Sequence, residues 1–178
     1  MRLFIAVRLS EDIKTEIEKV QSAIRINDFS LPKKENTHIT LKFLGEIDNY
    51  AKIAERLEKV EFKQFSIKTA EIGFFPNEAH ARVVWLGFKE DEALKNLQKN
   101  IDNALYPEFA KENDFVTHAT IARIKLLSEP VKNALKRTKS LRIPEQTCKV
   151  SSFFLYKSTL TSQGPIYEPL AEFPGKAL

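Results

Sequence analysis

Two strand-forming runs carry the same interruption. NTHITLKFLG at 36–45 and THATIARI at 117–124 each set a histidine and a threonine two residues apart, His38 with Thr40 and His118 with Thr120. Side chains at i and i+2 of a strand point to one face, about 6.5–7 Å apart. Ile39 and Leu41 in the first run, and Ala119 and Ile121 in the second, then enter the core behind them. Two polar groups in register on an apolar strand require a face that is wet and used. Of the 3 histidines in the chain, two have this partner. The repeated pair is therefore read as two halves of one site, not as two isolated structural hydrogen bonds.

The segments around these runs repeat as well. RLFIAVRL reads as a buried strand. Ser10 is the expected N-cap of a helix with Glu11 and Asp12 in its first turn and Ile13, Ile17, Val20 and Ile24 on one face. FSLP and the first motif strand flank a polar turn, PKKEN. DNYAKIAERLEKV reads as a helix with Ile53, Leu57 and Val60 inward, and FSIKTAEIGFF and ARVVWLGF as strands joined at Pro76–Asn77. The rhythm then returns: a helix with Leu94, Leu97, Ile101 and Leu105 inward, the second motif strand, and a helix capped by Ser128 with Pro130 near its first turn. CKVSSFFLYKSTL and PIYEPLAEF close the chain as strands. The expected fold is α+β, with residues 1–178 forming one bilobal domain. Its two pseudo-symmetric lobes are each an antiparallel sheet backed by helices, and a central cleft carries both motifs.

Composition excludes several classes. Hydrophobic residues are 43% and charged residues 29% of 178, with 5 Gly and 8 Pro, which is globular rather than disordered or collagen-like. The net charge of +4 permits a polyanionic partner without demanding one. Cys148 is the single cysteine, so no internal disulfide or cysteine-based zinc site forms; it is read as a small core residue. The opening MRLFIAVRLSEDIK turns acidic too soon for a signal peptide, and no apolar run approaches the roughly 20 residues of a span. No membrane partner and a cytoplasmic location are expected.

Paired histidines suit one chemistry. With an unperturbed pKa near 6.5, one imidazole can be neutral while the other is protonated. One takes a proton from a nucleophile and the other gives one to a leaving group. Threonine hydroxyls beside them can hold the nonbridging oxygens of a phosphate. No third ligand clusters with the histidines, which argues against zinc, and no nucleophile elbow signals a serine triad.

HITLKFLGE and HATIARIK resemble the paired motifs of the 2H phosphoesterase superfamily, and within it the RNA 2′,3′-cyclic phosphodiesterases, also called 2′-5′ RNA ligases. RLFIAV at the start, GFFP at 73–76, RVVWLG at 82–87, and LYKSTL followed by Gly164 and Tyr167 agree, so the resemblance spans nearly the whole chain. It implies metal-independent hydrolysis with no cofactor. His38 would be the proton donor to the departing ribose 3′ oxygen and His118 the acceptor that activates water. Thr40, Thr120 and Arg123 would hold phosphate. Simple alternation puts Arg123 on the face opposite His118, so a bulge must redirect it. The implied partners are RNA with 2′,3′-cyclic phosphate ends, with tRNA halves as one source, and the chain would act as a monomer. The same site run backwards would make a 2′-5′ link without ATP.

Two departures from the family pattern bear on substrate fit. Thr117 stands where relatives often have Pro, and Ser30 and Leu31 stand where a Trp is frequent. Alternatives are a noncatalytic module that binds RNA ends, against which both intact motifs argue, and an esterase for a cyclic ADP-ribose-type phosphate. His80 follows a turn with no threonine partner and is expected to be exposed. Lys33, Lys34 and Lys42 are candidates for a basic rim. Phe43, Phe74, Phe75 and Trp85 could stack a base, although core packing is the expected job for most of them.

Overall fold

Apolar periodicity and the polar strand pairs resolve into a single sheet with helices on one side. The structure is a computed structural model and describes residues 1–177. The first half runs β1 (Arg2–Arg8), α1 (Glu11–Ile24), β2 (Phe29–Ser30), a 3₁₀ turn (Lys34–Asn36), β3 (His38–Glu46), α2 (Ala51–Leu57) and β4 (Phe65–Phe75). The second runs β5 (Val83–Lys89), α3 (Glu92–Leu105), β6 (His118–Ile124), α4 (Glu129–Thr138), β7 (Thr147–Val150), β8 (Ser152–Thr161) and β9 (Gly164–Pro174). The α+β class and antiparallel pairing match expectation.

The sheet order is β7-β4-β5-β6-β3-β1-β8-β9, with the short β2 pairing β6. It reads as two equivalent halves about its centre. β3 matches β6, β1 matches β5, and β8 matches β4. The halves exchange strands along the chain: β4 follows the first motif yet pairs with β5, and β8 follows the second yet pairs with β1. The two motif strands are direct neighbours, joined antiparallel at Ile39 and Ala119. The cleft is thus the open face of one continuous sheet.

The other face is the core. Ile13, Ile17, Val20 and Ile24 of α1 and Leu94, Leu97, Ile101 and Leu105 of α3 are buried against Leu3, Ile5, Val7, Ile39, Leu41, Leu86 and Ile121. Fully burying such a side chain is worth about 1.5–3 kcal/mol. Ser128 caps α4 by accepting from the Val131 N–H at 3.4 Å, as its sequence position predicts. Ser10 precedes α1 without a side-chain cap bond, leaving Glu11 and Asp12 to favour that helix start through its dipole. Cys148 is buried at 1% exposure, and burial pushes its thiol pKa up, as suits a core residue. Among the described residues no helix is long and apolar enough to cross a membrane.

Candidate active site

The site grows from matching irregularities in β3 and β6. Along β1 the partners Ile5 and Ala6 face Lys42 and Thr40, so Leu41 is an extra residue in β3. Along β5 the partners Val84 and Trp85 face Ala122 and Thr120, so Ile121 is an extra residue in β6. Each bulge buries two consecutive side chains, Leu41 with Lys42 and Ile121 with Ala122. The residue after them returns to the face of the histidine. That residue is Phe43 in the first half and Arg123 in the second, and both are exposed. The alternation that would have turned Arg123 away is cancelled by this bulge.

Because Ile39 lies opposite Ala119, His38 falls beside Thr120 and Thr40 beside His118. The four polar residues form a rectangle on the open face, with the histidines on its diagonal, about 7–8 Å apart at Cβ.

Each ring is held the same way. The His38 Nδ1–H donates to the Asn36 carbonyl at 2.6 Å, and the His118 Nδ1–H to the Val116 carbonyl at 2.8 Å. A carbonyl can only accept, so Nδ1 carries the hydrogen in both. Nε2 is left as the atom that takes or gives a proton. The Thr40 hydroxyl donates to Nε2 of His38 at 2.9 Å. Aromatic rings wall both sides: Phe4 and Tyr167 lie 5.0 and 5.3 Å from the His38 ring, and Phe75 lies 4.9 Å from His118. Phe75 stacks on Trp85 at 4.9 Å. Gly73 makes room for that indole, since a Cβ there would run into it.

These surroundings disfavour positive charge on both rings. Burial lowers the His38 pKa to about 4; the Asn36 carbonyl opposes this, while the Arg123 and His118 charges add to it. His118 is lowered too, first by burial and then by Arg123, against the pull of the Val116 carbonyl. Tyr167 is raised by burial and pulled back by Arg123 and Arg2. The Arg123 charge thus bears on both histidines and on Tyr167, in keeping with the bulge that returns it to their face.

The folded pKa of His38 lies below its unfolded value of 6.5. Its contribution is therefore fully present above pH 6.5 and is lost as pH falls towards 4. The size is on the order of 3 kcal/mol. Urea unfolding at pH 7, 5.5 and 4.5 should show wild type losing stability along this series, with a smaller loss in His38→Gln. Parallel curves would refute the assignment.

Other sequence expectations divide. His80 is exposed, with its ring 3.4 Å from the Asn77 side-chain oxygen. Lys42 was expected on a basic rim. Instead, Nζ is buried and bonded to the Asp102 carboxylate and the Ala110 carbonyl, both at 2.6 Å, because the bulge turns it inward. Lys33 is exposed, whereas Lys34 is held by Glu18 at 3.1 Å. Phe74 packs on the core, and Phe43 stands 67% exposed. Phe4 and Tyr156 were missed. β1 reads as uniformly apolar because both its faces are covered, Leu3, Ile5 and Val7 by the core and Phe4 and Ala6 by Phe154 and Tyr156.

A model of the LigT-like phosphoesterase family matches the chain twice, over residues 7–85 and 86–167, and each match holds one His-x-Thr pair. An RNA 2′,3′-cyclic phosphodiesterase of Methanocaldococcus jannaschii is 38% identical over 179 residues, spanning 97% of this chain and 100% of its own. One from Archaeoglobus fulgidus is 35% identical, spanning 97% and 99%. A crystal structure from Thermus thermophilus superposes with a TM-score of 0.77 at 24% identity, covering 98% of this chain and 97% of that one. E. coli LigT complexed with 3′-AMP gives 0.76 at 22%, covering 97% of each chain. Those two likenesses carry the fold alone. The near-full-length identities and the doubled match, which repeats the doubled architecture, lead to one conclusion: the chain belongs to the LigT-like phosphoesterase family.

Proposed function

We propose that the protein hydrolyses 2′,3′-cyclic phosphates at RNA ends to 2′-phosphates, using His38 as proton donor and His118 as proton acceptor. The observation that carries this reading is the pair of diagonal imidazoles, each tied through Nδ1 to a carbonyl and each leaving Nε2 for proton transfer. His118 Nε2 takes a proton from water as its oxygen attacks phosphorus. The bond from phosphorus to the ribose 3′ oxygen breaks on the opposite side, and His38 returns a proton to that oxygen. One water is consumed, and the product carries a 2′-phosphomonoester and a free 3′-hydroxyl. Thr40 and Thr120 donate to the nonbridging oxygens, and Arg123 adds a charged contact as negative charge builds there.

The protein environment by itself disfavours protonation of His38, because burial outweighs its carbonyl contact. The anionic phosphate reverses this balance, so the donor is charged when the substrate arrives. Relatives named RNA 2′,3′-cyclic phosphodiesterase support RNA as the substrate class. A cytoplasmic monomer acting on RNA ends, tRNA halves among them, fits this reading. The reverse reaction, attack of a 5′-hydroxyl on the cyclic phosphate, would make a 2′-5′ link through the same groups.

The deciding experiment incubates the protein with adenosine 2′,3′-cyclic phosphate in EDTA and follows the product by phosphorus NMR. The 2′-monophosphate is expected at the rate seen without chelator, since every group invoked is a side chain. A 3′-phosphate product, or abolition by EDTA, would contradict the mechanism.

A further inference from the structure

Pseudo-symmetry equates the two histidines but not their neighbours. In β5 the residue opposite His118 is Gly87, whereas in β1 the residue opposite His38 is Arg8. A cation therefore stands on one side of the cleft where the other side has no side chain. Directly opposed residues of an antiparallel pair point to one face, so Arg8 projects onto the open face with His38.

Arg8 is also held in place. Its guanidinium carbon sits 3.9 Å from the centre of the Phe154 ring, and Nε–H donates to the Tyr156 hydroxyl at 2.8 Å. Among the described residues neither Nη group has a hydrogen-bond partner, and no carboxylate lies within ion-pair distance. The group is exposed and lines a cavity of about 390 Å³ that continues from His38 past Tyr167 and Phe4 to Lys14 and Lys34. Those lysines are engaged, Lys14 with Glu11 at 2.8 Å and Lys34 with Glu18 at 3.1 Å. Glu11 and Glu35 also line the cavity. Arg8 is thus a pre-positioned, uncompensated fork, the geometry that recognises a phosphate.

The direction of the substrate follows from the chemistry. If His38 protonates the 3′ oxygen, the ribose lies on the His38 side. From C3′ the sugar continues through C4′ and C5′ to the next phosphodiester, which leads away from His118 and into this cavity. We infer that Arg8 binds the phosphodiester on the 5′ side of the cyclic-phosphate ribose, so that the site takes an oligoribonucleotide end in preference to a mononucleotide. This rests on the donor role of His38 proposed above.

The test compares kcat/KM for adenosine 2′,3′-cyclic phosphate with that for a dinucleotide ending in the same group, in wild type, Arg8→Gln and Arg8→Lys. Wild type is expected to favour the dinucleotide. Arg8→Gln should lower the ratio of the two values about tenfold. Arg8→Lys should recover part of it, and the salt dependence of the dinucleotide reaction should flatten by about one phosphate contact in Arg8→Gln. Lys52→Gln, which removes the same charge from α2, should keep the ratio at its wild-type value. Circular dichroism and thermal unfolding of Arg8→Gln guard against a folding defect. If both substrates turn over and the ratio is unmoved by Arg8→Gln, the Arg8 assignment is overturned while the hydrolase reading stands. If wild type turns over neither substrate, the hydrolase reading itself fails, and this inference with it.

Discussion

Replacing His38 or His118 with alanine is expected to lower kcat on a 2′,3′-cyclic nucleotide by about 10²–10⁴-fold, the usual worth of one positioned proton carrier. On the proposed mechanism the loss falls mainly in kcat, because there the imidazoles act on atoms whose charge changes during the reaction, while Thr40, Thr120 and Arg123 would remain to bind the phosphate. The double variant should be little slower than the worse single one. In the proposed mechanism the two transfers flank one displacement, and groups that work as a unit are not additive. The wild-type pH profile should be bell-shaped, with one limb lost in each single variant. Either alanine variant retaining a near-wild-type rate would remove that histidine from the mechanism.

The second large effect lies beneath the site and concerns stability. Lys42 and Asp102 are 2% and 4% exposed, with a 2.6 Å contact between Nζ and the carboxylate. Asp102 also accepts from the Gln98 side chain at 2.9 Å and from the Glu112 N–H at 2.8 Å. The network ties β3, directly behind Thr40, to α3 and to the segment after it. Asp102→Ala strands a buried ammonium and should cost about 3–5 kcal/mol. For a chain of this size that is a fall in Tm of about 10 °C. Lys42→Met with Asp102→Leu removes both charges and should recover much of the loss. Calorimetry of the three proteins tests this directly, and a double variant no better than Asp102→Ala would argue against the charge explanation.

Much of the site was legible because its signal is local. His-x-Thr on a strand puts both groups on one face whatever the fold, and the second copy turned a curiosity into half of a constellation. Helices marked by Ile13, Ile17, Val20 and Ile24, or by Leu94, Leu97, Ile101 and Leu105, were legible for the same reason: a period of 3.6 needs no partner to be seen. Lys42 was not. Its neighbours alternate as in any half-buried strand, and nothing nearby in sequence announces an extra residue or a carboxylate 60 positions on.

By itself, the sequence determined the α+β class, the elements, the core faces and the two polar pairs, since each depends on residues within one segment. Only the tertiary structure decided the rest. It joined β3 to β6 at Ile39 and Ala119, exchanged β4 and β8 between the halves, turned Arg123 towards the histidines, and left Arg8 opposite His38 where Gly87 faces His118. These depend on register and on bulges. A shift of one residue in pairing moves every following side chain to the other face, and that shift is set by neighbouring strands distant in the chain.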